Sequence, residues 1–187
     1  MEDKEYLDNY EQMLEAGLVK VCEGNGFKVR SEANGALLGT PDLDGKWVEY
    51  IKEYIADAVE NFNQYPDAAV AWAGFLGIAL AYNWDKDWLR HRGDSYQSYY
   101  GSRGWDDMDE HVLYGLLGFA PDSKEAKKIS ECLISCAQAT MGLIRHEGIE
   151  TQTARGFYVL ARTYSVFFRL GAALELRRLG YNMVAVS

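Results

Sequence analysis

The sequence is poor in the residues that cross-link or interrupt small folds. Its 187 residues include three cysteines, three prolines and three histidines. So few cysteines, in an odd number, argue against a secreted disulfide framework and favour a reducing compartment, so we expect a cytoplasmic protein. The acidic first residues lack the basic and apolar regions of a secretory signal, with a leader already removed as the alternative.

A long apolar run is also missing. The longest such stretch, residues 68–82, falls short of the ~20 residues that a membrane-spanning helix needs. A helix this short and apolar on every side is better explained as the buried centre of a helical bundle. Hydrophobic residues make up 48% of the chain, which is ordinary for a globular protein. We therefore expect no membrane partner.

The net charge of −9 argues against a general nucleic-acid surface, because phosphate binding needs positive charge. The charge is unevenly distributed. Residues 142–187 carry three acidic residues and six arginines, whereas residues 1–67 are strongly acidic. Two interpretations follow: the basic C-terminal part neutralises an acidic body, which we favour, or it forms a face that binds a small anionic ligand.

Apolar side chains repeat at intervals of three and four residues, which predicts helices. The fold class expected is all-α, with residues 1–187 forming a single domain. The architecture is a compact bundle of about six helices, with a long aromatic-rich connection and a last helix about 40 Å long. The predicted helices cover residues 3–21, 45–63, 66–82, 105–117, 122–146 and 153–179.

Several helix ends can be predicted from capping residues. Asp44 is placed to cap the second helix, and Asp122 with Glu125 resembles a capping box for the fifth. Gly148 and Gly180 stand just past the last apolar residues of the fifth and sixth helices, where a left-handed glycine ends a helix. In the connection 23–44, two Asn-Gly dipeptides indicate turns and leave a two-stranded hairpin open.

Glycine pairs interrupt two predicted helices. Gly74 and Gly77 lie in the third, and Gly115 and Gly118 lie in or at the end of the fourth. Glycine inside a helix costs ~1 kcal/mol relative to alanine, so close helix packing should offset it. We predict that the third and fourth helices cross at these glycines, with a C-cap as the alternative for Gly118.

Residues 82–111, the aromatic segment, are the most suggestive stretch. Tyrosine and tryptophan offer a flat apolar face with a polar atom, so this segment could bind a ligand or a partner. The alternative, which we favour, is a connection that anchors itself to the bundle. The candidate binding residues are Trp84, Trp88, His91, Tyr96, Tyr99, Tyr100 and Trp105.

Two further groups resemble metal sites weakly. Asp107 and His111 are four residues apart, and carboxylate with imidazole is a metal-binding pair. Acidic residues are also common in a first helical turn, so a metal is disfavoured. Cys22 stands alone. Cys132 and Cys136 lie on the apolar face of the fifth helix without Cys-x-x-C spacing, so we predict that these two are buried thiols that act as small apolar side chains.

Arg155, Arg162 and Arg169, the arginine stripe, follow one another at intervals of seven along one face of the last helix. Arginines there could bind a phosphate or carboxylate ligand, or lie in solvent. We favour pairing with acidic residues of a neighbouring helix, such as residues 106–110, because a packed helix must provide partners for its charges.

The sequence leaves two functional hypotheses. No phosphate-binding loop, nucleophile elbow or His-Glu-x-x-His motif is present, so we expect no cofactor. The favoured hypothesis is a non-enzymatic helical binding or interaction module, with a protein partner or a second copy of the chain as its occupant. The alternative is a small-molecule or metal-dependent enzyme with a polar centre between Asp107/His111 and the arginine stripe.

Overall fold

A computed structural model describes residues 2–182, and it confirms the predicted all-α bundle. No strand occurs among these residues, and none of their helices combines the length and apolar character needed to cross a bilayer. A short helical turn at Met108–Glu110 continues a 3-10 turn at Trp105–Asp107 and leads into a π turn at His111–Leu116. The helices are α1 (Glu2–Gly24), α2 (Pro41–Phe62), α3 (Pro66–His91), α4 (Met108–Glu110), α5 (Lys124–His146) and α6 (Ala154–Arg178).

The centre of the bundle is the pair α3 and α6. Residues 69–71 and 73–81 of α3 are buried, as a helix apolar on all sides requires. From residue 159 to residue 176, α6 is buried over most of its surface, and it packs against α3, α1 and α2. The amphipathic helices α1, α2 and α5 cover this pair with their apolar faces, leaving their charged faces in solvent.

Glycines set the spacing between α3 and α6. A Cβ on Gly77 would lie 2.1 Å from the carbonyl oxygen of Phe168, and one on Gly171 would lie 1.8 Å from that of Gly74. The expected close approach is present, but its partner is α6, so the predicted crossing of the third and fourth helices is wrong. Gly118, with φ +79°, ends the fourth helical segment.

Two predicted helix starts are wrong. The first residue of α2 is Pro41, and the hydroxyl of Thr40 accepts a hydrogen bond from the Leu43 N–H, so Asp44 lies inside the helix. The side chain of Ser123, rather than Asp122, caps α5. In both cases a hydroxyl accepts a hydrogen bond from one of the free N–H groups of the first turn. The predicted C-terminal glycines, Gly148 and Gly180, do have positive φ.

Two other boundaries also differ. Helix α3 continues past residue 82 to His91, with a kink at Asp87, so much of the predicted second connection is helical. The helix continues because one of its faces stays packed against the bundle: Asn83 is buried, and Trp84 packs against the core. The hairpin left open for residues 23–44 reduces to a single bridge between Arg30 and Leu37.

Candidate functional site

The aromatic segment packs onto the bundle. Tyr96, Tyr99 and Trp105 are buried, while Trp84, Trp88, His91 and Tyr100 are partly buried. Trp84, Trp88 and His91 belong to α3. Trp84 Nε1 donates to Asp42 Oδ2 over 3.0 Å, tying the end of α3 to the start of α2. His91 Nδ1 lies 2.9 Å from Asp94 Oδ2. These contacts are the ones expected of a self-anchoring connection.

Asp57 of α2 holds the middle of the segment. The hydroxyl of Tyr96 donates to Asp57 Oδ2 over 2.8 Å, and the hydroxyl of Tyr100 donates to the same oxygen. Burial, with the nearby phenol of Tyr54 and the Asp57 carboxylate, raises the pKa of Tyr96 far above its ordinary value. Both phenols therefore stay protonated and remain donors, so the pair fastens residues 96–100 to α2.

We expect the double variant Y96F/Y100F to loosen this segment. Each lost hydrogen bond costs about 1 kcal/mol, so unfolding should become easier by about 2 kcal/mol. Limited proteolysis should then cut within residues 92–104 faster than in the parent protein. Tyr158→Phe, which changes an exposed tyrosine, is the matched control. Unchanged stability and cleavage in the double variant would contradict the anchoring.

The arginine stripe pairs with α1. Arg155 lies 3.1 Å from Asp3, and Arg162 lies 2.7 Å from Asp8. The expectation of internal pairing holds, but the partners proposed for it, residues 106–110, are wrong because α1 rather than α4 runs beside this face of α6. The remaining contacts are Arg162 with Glu11 at 3.3 Å, Arg169 with Glu11 at 3.3 Å, and Arg169 with Glu15 at 3.0 Å.

Asp107 has its own partner. Its side chain is 6% exposed and accepts from the guanidinium of Arg103 over 2.9 and 2.8 Å, and from the Arg103 backbone N–H. Arg103 thereby lowers the pKa of Asp107. His111, four residues on, borders Gly115. Within residues 2–182, the polar centre expected between Asp107/His111 and the arginine stripe therefore does not form. Asp107 pairs with Arg103, and the arginine stripe pairs with α1.

Elsewhere in the fold, three buried thiols lie together, an arrangement that the sequence alone does not predict. Sγ of Cys22 lies 3.6 Å from Sγ of Cys132 and 3.9 Å from Sγ of Cys136. All three side chains are free thiols with 0% exposure. The three sulfur atoms all lie within 4.8 Å of one another. Within the described residues, this thiol cluster is the group of at least three His, Cys, Asp or Glu side chains whose potential metal-binding atoms come that close together.

Two helices position the thiols. Cys132 and Cys136 are one turn apart, so both face inward from α5. Cys22 lies in the last turn of α1, where the Phe27 N–H donates to its carbonyl oxygen over 2.9 Å and Gly26, with φ +87°, turns the chain. Cys22 stands four residues after Leu18 on the apolar stripe of α1, a signal for burial, but no sequence signal says that this end of α1 reaches α5.

The thiols influence one another electrostatically. The contacts with the Cys136 and Cys22 thiols lower the pKa of Cys132, whereas the contacts with the Cys132 and Cys22 thiols, together with burial, raise the pKa of Cys136. Contact with the Cys132 thiol and burial raise the pKa of the Cys22 thiol, and the carboxylate of the adjacent Glu23 raises it further.

The spacing of the sulfurs suits a metal ion. A metal–sulfur bond of about 2.3 Å at tetrahedral angles places two sulfurs roughly 3.8 Å apart. The observed separations of 3.6 and 3.9 Å bracket that value. Thiolate sulfur is a soft ligand that selects soft ions, so the arrangement can hold one such ion with little movement of α1 or α5.

Comparisons of the chain with protein-family models, with curated proteins and with solved structures find no match.

Proposed function

We propose that this protein is a non-enzymatic binding protein that holds one thiophilic metal or metalloid ion between Cys22, Cys132 and Cys136. The observation that carries the proposal is the convergence of three free thiols from two helices, with their sulfur atoms within 4.8 Å of one another. Two of these residues lie 110 and 114 positions from the third along the chain, so the fold itself assembles the set.

Burial favours binding over catalysis. A catalytic metal site keeps a position open to substrate, whereas a closed site surrounded by protein retains its ion. The three cysteines have 0% exposure, which leaves no room for a substrate beside the ion. A non-enzymatic binding protein is also the class of function that the sequence favours. The proposed ligand differs: an ion at the thiol cluster replaces a partner or ligand at the aromatic segment or the arginine stripe.

Binding would join two parts of the fold. The ion would link the last turn of α1 to the middle of α5, which otherwise meet through side-chain packing. A ligand that binds the folded state and has lower affinity for the unfolded chain stabilises the folded state by mass action. We therefore expect the loaded protein to melt at a higher temperature than the free protein.

The test uses reduced protein kept free of oxygen, with a phosphine as reductant. Copper(I), cadmium(II) and arsenous acid are each titrated separately. We expect at least one of them to bind with a stoichiometry of one per chain and to raise the melting temperature. The absorbance of sulfur-to-metal charge transfer reports copper(I) and cadmium(II), and intact mass reports arsenic.

Variants separate the ligands from the packing. C22A, C132A and C136A should each lower the affinity by at least about tenfold. Leu18→Ala is the matched control, because it removes a buried side chain one turn before Cys22 and leaves all three thiols. The proposal is refuted if none of the three probes binds the parent protein, or if the cysteine variants bind as Leu18→Ala does.

A further inference from the structure

The surroundings of the thiol cluster are apolar. One turn from the thiols on their own helices lie Leu18 and Val19 of α1 and Ile129 and Leu133 of α5, all buried. Thr140 is also buried, and its hydroxyl is used by a hydrogen bond to the carbonyl oxygen of Cys136. The sulfurs therefore lie in the hydrophobic core, where an uncompensated charge is strongly disfavoured.

On α1 and α5, the positive charges nearest the thiols lie at the surface. On the two helices that carry the thiols, the neighbouring lysines Lys20, Lys127 and Lys128 are exposed to solvent. The charged residue adjacent to Cys22 is Glu23, which adds negative charge. The net charge of the bound complex therefore decides which ion the core accepts.

Three thiolates give complexes of different charge with different ions. A monovalent ion leaves a net charge of −2, a divalent ion leaves −1, and a trivalent centre leaves none. Trivalent arsenic and antimony also complete their bonding with three sulfurs and keep a lone pair, so they need no fourth ligand. Zinc, by contrast, takes four ligands in structural sites.

We infer that the thiol cluster is selective for a trivalent metalloid, arsenic(III) or antimony(III), over divalent and monovalent thiophilic ions. This inference rests on the proposed function and names its ligand class. The carrying observation is the meeting of three thiols, which supply three bonds, in a core that offers no compensating cation on the helices that hold them.

The binding step balances without an oxidant or reductant. Arsenous acid, As(OH)₃, exchanges three As–O bonds for three As–S bonds to Cys22, Cys132 and Cys136. Each thiol proton leaves with one hydroxyl group as water, so three waters are released. Arsenic stays trivalent, the sulfurs keep their oxidation state, and the product in the core is neutral.

The first experiment measures selectivity against an exposed reference. Affinities for arsenous acid and cadmium(II) are measured for the protein and for a synthetic unfolded peptide with three cysteines, at one pH. We expect the ratio of arsenic to cadmium affinity to be about a hundredfold higher in the protein, because only the protein buries the charge of the cadmium complex. A ratio equal to or below that of the peptide overturns the inference.

A charge variant provides the second readout. Glu23 is exposed, so Glu23→Lys should fold normally while reversing the charge next to Cys22. It should strengthen cadmium(II) binding severalfold and change arsenic binding by less than twofold, since the arsenic complex is neutral. Equal effects on both ions would contradict the charge argument. If cadmium(II) binds and arsenous acid does not, the inference fails and the proposed function stands; if neither they nor copper(I) bind, both fail.

Discussion

Replacing Gly171 with alanine should separate the two central helices and cost about 3–5 kcal/mol of folding free energy, at the top of the range for single substitutions. The added Cβ would lie 1.8 Å from the carbonyl oxygen of Gly74 and 2.8 Å from its Cα. Backbone atoms inside a helix cannot move aside as a side chain can, so α3 and α6 must move apart and lose packing along their contact. Denaturant titration and thermal melting measure the loss.

Two other glycines provide a graded comparison. At Gly74 the nearest atom to a new Cβ is the end of the Leu133 side chain, which can rotate, so Gly74→Ala should be milder than Gly171→Ala. Gly17 is exposed within α1 with no atom within 4 Å of its Cβ position, so Gly17→Ala should be neutral or stabilise by up to ~1 kcal/mol. If Gly171→Ala melts like Gly17→Ala, the close crossing of α3 and α6 is wrong.

Replacing Arg178 with methionine should leave a buried carboxylate without its partner. The side chain of Glu175 is 1% exposed and receives two hydrogen bonds from the Arg178 guanidinium, at 2.6 and 2.8 Å. Removing the partner of a buried carboxylate leaves its charge uncompensated, at a cost of about 2–3 kcal/mol. Arg177→Met is the matched control, because Arg177 pairs with Glu32, which is largely exposed.

The free energy of folding that Arg178→Met loses should depend on pH, in a direction set by the carboxyl group of Glu175. Burial raises the pKa of its carboxyl above the ordinary value, while Arg178 partly opposes that rise. Without Arg178 the folded-state pKa rises further, so the folded variant binds a proton more tightly than its unfolded chain does. Arg178→Met should therefore be least stable near pH 7 and recover as the pH falls towards ~4. The double variant E175Q/R178M should recover stability at neutral pH; a pH-independent loss would contradict this explanation.

Local features of the fold could be predicted from the sequence. The stripes of α1 and α5 repeat without interruption, so their helices were predicted nearly to their ends. The glycines Gly148 and Gly180 follow the last apolar residue of a helix, and a left-handed turn there needs no tertiary information. The end of α3 was missed because polar residues interrupt its pattern after residue 82, although one face continues to pack.

Partners distant in sequence could not be predicted. The thiol cluster joins residues 110 and 114 positions apart, and the arginine stripe meets acidic residues about 150 positions away. A stripe of arginines indicates that these charges need acidic partners. Which helix supplies the partners depends on which helices are neighbours in the folded bundle. The same applies to Cys22, whose spacing from Leu18 indicates burial and says nothing about α5.

The central position of α6 bears on how the protein is made. A ribosome releases the chain from its N-terminus, so α1 to α5 emerge before the helix around which they pack. Until α6 follows, the face of α3 that packs against it is uncovered, and Asp8 and Glu11 of α1 cannot yet pair with Arg162. This domain therefore completes its fold only after α6 has emerged, and a chain stalled before residue 154 exposes apolar helix faces of the kind that chaperones bind.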